Sequence, residues 1–153
     1  MHTTFFGSLS SSVKQDEAHA ADMAKAMAVQ QIYTAIFAHE NWKHRLLTFV
    51  EGISTEVFAT EDFYVVERTE LGQWIDTVGK AKFSTYIEFA LVVEYHKMLH
   101  HAAVNAVSRL EMHHDDVSRQ QEVTHLLTGQ FEKFSDAIIA NLLKLREKVE
   151  AAH

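Results

Sequence analysis

Along most of this chain apolar residues recur at spacings of three and four, the period of a helix with one buried face. The first such run starts near Val13 and takes in Met23, Met27, Ile32, Ile36, Trp42, Leu46 and Val50, with Gly52 where a glycine would end a helix. Residues 53–67 break the pattern. Val57, Phe58, Phe63, Val65 and Val66 have strand-like composition, but Thr60-Glu61-Asp62 interrupts them, and a structured loop is expected. A short helix is predicted from Arg68 to Val78, ending at Gly79, with Gly72 inside it as a mark of close packing by a neighbour. A third long helix follows the capping-box pattern Thr85-x-x-Glu88, and its face reads Tyr86, Phe89, Ala90, Val93, His96, His100, Ala103, Val104, Val107 and Leu110. His113-His114-Asp115-Asp116 should turn the chain, with an aspartate as N-cap. The last helix carries Leu127, Phe131, Phe134, Ile138, Leu142, Leu145 and Val149, and Gly129 marks a bend in it.

Composition fits that pattern. A chain of 153 residues suffices for one domain with a sizeable core, and zero proline with five glycines starves a β-rich fold of turn formers. The expected fold is all-α: an antiparallel four-helix bundle of three long helices and one short one over residues 13–150, after a flexible Ser/Thr/Gly-rich tail at residues 1–12. The apolar seams of the long first and last helices would support a homodimer. The absence of cysteine excludes disulfides, thiolate zinc ligands and any thiol redox switch. A formal charge of −7 and a pI near 5.8 argue against a nucleic-acid or anionic-membrane partner. No run reaches the ~18 apolar residues of a membrane span. The start, Met1-His2-Thr3-Thr4-Phe5-Phe6-Gly7, lacks the basic and apolar regions of a signal peptide, so the cytoplasm is the expected compartment.

Eleven histidines are the one excess. At that density chance gives roughly one pair at i, i+4, the spacing that stacks two side chains on one helical face, so the pair His96 and His100 means little by spacing alone. Its location means more. Both lie in the apolar stripe of the third long helix, where a buried polar group is costly without a partner, and a metal ion is one partner that two imidazoles can share. His39 falls on the stripe of the first helix in the same way, while His44 is rotated away from it. His2, His19, His101, His113, His114, His125 and His153 belong to no stripe and are expected at the surface or in loops.

Several segments resemble a known family. His39-Glu40-Asn41-Trp42-Lys43-His44-Arg45-Leu46 is similar to the HxxWKxRL stretch of the bacterial chemoreceptor zinc-binding (CZB) domain. Leu71-Gly72-Gln73-Trp74 with Gly79 resembles that family's CxLGxW…G segment, His96-Lys97-Met98-Leu99-His100 its paired-histidine segment, and Phe131 to Leu145 its terminal helix. The likeness runs from about residue 30 to 145, in order and at matching separations. It implies a four-helix, usually dimeric, zinc-binding sensor that regulates chemoreceptors or diguanylate cyclases. Carried over position by position, it makes His39, His96 and His100 the metal ligands, with Trp42, Trp74 and Gly72 as scaffold.

The chain departs from that pattern at the fourth ligand, where Thr69 stands in place of the family's cysteine. A neutral hydroxyl is a poor zinc ligand beside a thiolate. The fourth position is then open to water or an anion, or filled by Glu70 or Glu67 swinging in, or the site has decayed. An open three-histidine zinc site raises the question of hydrolysis, but Glu40 and Glu94, the nearest carboxylates in sequence, should point away from it, so no enzyme is expected. A hemerythrin-like di-iron bundle would need more inward histidines and bridging carboxylates than the second and fourth helices supply. The leading expectation is a stand-alone zinc sensor of bacterial signal transduction that signals to a partner protein through its surface. The alternative is a structural or interaction bundle with a degenerate site.

Overall fold

The computed structural model describes residues 2–51, 69–112 and 117–152, with side chains over 12–51, 69–109 and 121–152. The loop at 53–67, Gly52, the predicted start at Arg68 and the turn at 113–116 lie outside the described residues. Among those described every element is helical and none is a strand: α1 (His2–Val50), α2 (Glu70–Trp74), a π-helical turn (Ile75–Gly79), α3 (Lys80–Phe83), α4 (Ile87–Met112), α5 (Val117–Thr128) and α6 (Gln130–Ala151). No helix among them is long and apolar enough to cross a membrane.

α6 runs between α1 and α4 and opposite in direction to both. On the α1 side Lys25 reaches the carbonyl oxygens of Glu150 and Ala152, Arg146 donates to the Tyr33 hydroxyl, and Lys43 pairs with Glu132. On the α4 side Glu88 pairs with Lys148, and the Tyr95 ring meets Phe134 further along. The stripe that α6 buries against them is Phe131, Ser135, Ile138, Leu142, Leu145 and Val149. Phe134, expected on that stripe, is only half-buried, and a serine takes the inward position one residue later.

α1 begins at His2 rather than near Val13, so the segment read as a tail continues the helix. Its serines and threonines cost only tenths of a kcal/mol each in a helix, and there is no proline to stop it. Met23 and Met27, predicted to be core, are each 53% exposed. For Met23 the reason lies at the far end of α6. α6 finishes at Ala151, level with Lys25, so α1 projects beyond the helix that buries its face, and its core begins with the half-buried Ala28 and Val29 and the fully buried Ile32 and Ala35.

In α4 the buried stripe takes in Val92, Leu99 and Ala106, which the sequence reading missed, and leaves Ala90 exposed. The capping box at Thr85 does not form. The helix starts two residues later, at Ile87, and Glu88 turns to Lys148 on α6. Gly129 does more than bend the last helix: it separates α5 from α6.

Gly79 does not end a helix, because the chain continues through it into α3 with α-helical dihedrals. Its lack of a side chain serves packing instead. A Cβ there would sit 2.5 Å from Cε2 of Phe89 and 3.0 Å from Cζ3 of Trp74, in a cluster where Trp74 stacks on Phe83. The rings are buried and cannot retreat freely, so Gly79→Ala should destabilise the chain by about 1–3 kcal/mol, read as a lower urea midpoint. An unchanged midpoint would mean that the ring cluster yields at no cost. Trp42 has the scaffold role expected of it, with its ring 6.1 Å from that of Phe131.

Candidate metal centre

Four side chains from three separate stretches of sequence are buried in the interior. His39 lies on the stripe of α1 that holds Ile32, Ala35, Leu46 and Val50, and is 1% exposed. His96 and His100, one turn apart on α4, are 5% and 7% exposed. Thr69 precedes α2 in extended conformation (φ −70°, ψ 151°) and caps it, its Oγ1 accepting the Gly72 N–H at 3.0 Å. That capping geometry turns the hydroxyl inward, where Oγ1 lies 3.2 Å from Nε2 of His96. Thr69 is therefore in contact with one of the three histidines.

Burial sets the protonation of these imidazoles. It lowers the pKa of His39 to about 4, with the Lys43 ammonium acting in the same direction and the Glu132 carboxylate against it. It lowers that of His96 to about 3, and the neighbouring His100 and His39 add to the effect. At neutral pH both rings are uncharged, the form in which imidazole binds a metal ion. That His96 feels both other histidines places all three in one electrostatic neighbourhood.

A fifth residue belongs here. Ser135 of α6, fully buried, has its Oγ 2.8 Å from Nε2 of His39. Sequence reasoning passed over it in favour of Phe134, although a serine three residues from Ile138 and four from Phe131 sits on the same helical face as both. The Lys43–Glu132 ion pair (2.6 Å), one turn along α1 from His39, was missed as well.

The arrangement is closed as it stands. Nε2 of His39 and Nε2 of His96 face hydroxyls, and no group of three or more histidine, aspartate or glutamate side chains among the described residues is set to hold a metal ion. Glu70 is exposed, and so are Glu40 and Glu94. Glu67 lies outside the described residues. His19, His44, His101 and His125 are exposed, as expected of histidines off the stripes.

The chain matches no family model, no curated protein and no solved structure.

Proposed function

We propose that this chain is a zinc-binding regulatory module of bacterial signal transduction, related in design to the chemoreceptor zinc-binding domain. On this reading it is an antiparallel four-helix bundle, dimeric and cytoplasmic. His39, His96 and His100 are the metal ligands, and the fourth position is left to water or an anion beside Thr69. One observation supports the reading: Thr69, at the position of the resembled family's cysteine, contacts His96, whose buried ring is held neutral and feels the two other buried histidines, His39 and His100. A divalent cation would supply a shared partner for those imidazoles. For the ion to enter, His39 must give up Ser135 and His96 must give up Thr69, which loosens α6 and the start of α2 while tying α1 to α4. Occupancy thus favours one packing over another, and a partner protein reads the difference.

The test is metal content. Protein purified without added metal should carry near-stoichiometric zinc, and a His96→Ala, His100→Ala variant should carry none. At zinc ~100-fold above its dissociation constant, the wild type gains about 2.7 kcal/mol of stability, a rise of several degrees in melting midpoint that the double variant should lack. Equal zinc in both proteins, or no rise in the wild type, removes the sensor reading.

The two hydroxyl contacts favour a second reading. A polar core in which Ser135 serves His39 and Thr69 serves His96 holds the helices in register without an ion. It predicts zinc-free protein and no response to added zinc.

A further inference from the structure

A concavity lies on the side of α4 away from the buried histidines. It has a volume of about 700 Å³, within the ~300–1,000 Å³ typical of small-molecule sites, and opens where Gly129 separates α5 from α6. Lys97, Met98, His101 and Ala102 line it from α4 at spacings of one, three and four, so a single helical face forms that wall. Leu126 and Phe134 form the opposite wall. The Phe134 ring is backed by Tyr95 at 6.4 Å, which fixes that wall in place.

The lining is mainly apolar, with a few polar groups. They are the Lys97 ammonium, the imidazoles of His101 and His125, and two amides, with no carboxylate among the described lining residues. On a chain of net charge −7 an acid-free concavity holding a cation is a local reversal of sign. Glu94 touches Lys97 only at 3.6 Å, from outside the lining, and both side chains are 63% exposed. That surface contact is weak, so the ammonium is free to turn to another anion. Met98, 47% exposed, offers a flexible apolar surface at the rim.

We propose that this groove binds an amphipathic organic anion, its apolar body lying between Met98, Ala102, Leu126 and Phe134 and its acid group at Lys97. The body gains by leaving water, and the lysine selects the sign of the head group. The site is distinct from the histidine centre, which lies on the opposite, buried face of α4.

The probe is 1-anilinonaphthalene-8-sulfonate, a bicyclic anion whose emission rises in apolar surroundings, competed with decanoate and with decylamine. The full chain should bind the dye, and decanoate should displace it at least tenfold more effectively than decylamine. Lys97→Glu, a change at an exposed side chain, should weaken dye and decanoate binding at least tenfold while leaving the circular dichroism spectrum unchanged. Ala102→Trp should abolish dye binding by filling the groove. If that variant fails to fold, Met98→Trp at the rim tests the same point. The proposal is overturned if Lys97→Glu binds the dye as wild type does, if decylamine competes as well as decanoate, or if the folded tryptophan variant still binds the dye.

Discussion

Acidification from pH 7 to pH 4 in the presence of a chelator should unfold this chain, with the loss of stability beginning near pH 6.5. In the unfolded chain a histidine titrates at about 6.5, whereas in the fold His39 titrates at about 4 and His96 at about 3. Below pH 6.5 the unfolded state therefore takes up protons that the folded state refuses. The stability contributed by keeping these rings neutral is fully present above that pH and is lost as pH falls toward the folded values. Each ring adds a slope of about 1.4 kcal/mol per pH unit, and two together about 3 kcal/mol per unit. Against a total stability of about 5–15 kcal/mol, two to three pH units suffice to reach the midpoint. Far-UV circular dichroism against pH would show it near pH 4–5. The Glu88–Lys148 ion pair adds its own acid sensitivity, but at lower pH, because the hydrogen bond from Lys148 holds the Glu88 carboxyl below the usual carboxylate range. The slope between pH 6.5 and 5 therefore belongs to the imidazoles. His96→Gln keeps a polar group beside Thr69 but removes one titrating site, and should roughly halve that slope. A variant with the wild-type slope would mean that His96 is protonated as readily inside the fold as outside it.

The burial of the three histidines was legible in the sequence because periodicity separates inward from outward positions. His39, His96 and His100 lie on buried stripes, and His44, one residue off the same period, is exposed. Periodicity does not say where a neighbouring helix ends. Met23 continues the pattern of α1, yet α6 stops level with Lys25, and only the pairing of the two ends reveals that this methionine projects past it. Nor does it distinguish two glycines with different tasks. Gly72 is buried and gives its N–H to Thr69, while the glycine that admits a neighbouring ring is Gly79.

Thr69 shows the opposite case. No property of a lone threonine marks it as inward-facing, and only the motif spacing singled it out, whereas in the structure its capping geometry turns the hydroxyl to His96. Ser135 had a signal that was outweighed. At the start of α6 a phenylalanine and a serine compete for one inward position, and the aromatic looks the better core residue until His39 across the interface supplies a polar partner. Such partnerships join residues far apart in sequence, so the hydroxyl contacts that close the site were beyond reach of any reading along one helix.

Thr69→Cys should raise zinc affinity on the order of 100-fold while lowering stability in chelator. Two effects of opposite sign meet at this position. The threonine hydroxyl caps α2 by accepting the Gly72 N–H, a role that a thiol fills poorly, and losing such a cap costs about 1 kcal/mol. The sulfur, however, would stand where Oγ1 now lies 3.2 Å from Nε2 of His96, and as a thiolate it brings the negative charge that imidazole ligands lack. Changes in groups that merely support a ligand alter metal affinity by about 10–100-fold, so gaining a charged ligand should reach the top of that range. The variant should therefore melt below wild type in chelator and above it in zinc, a crossing that added thiol hydrophobicity cannot produce. Thr69→Val, close in shape but without a donor atom, isolates the first effect and should melt lower in both conditions. If the cysteine and valine variants behave alike, the hydroxyl of Thr69 serves only α2 and His96, and the buried histidines are a polar core rather than a metal centre.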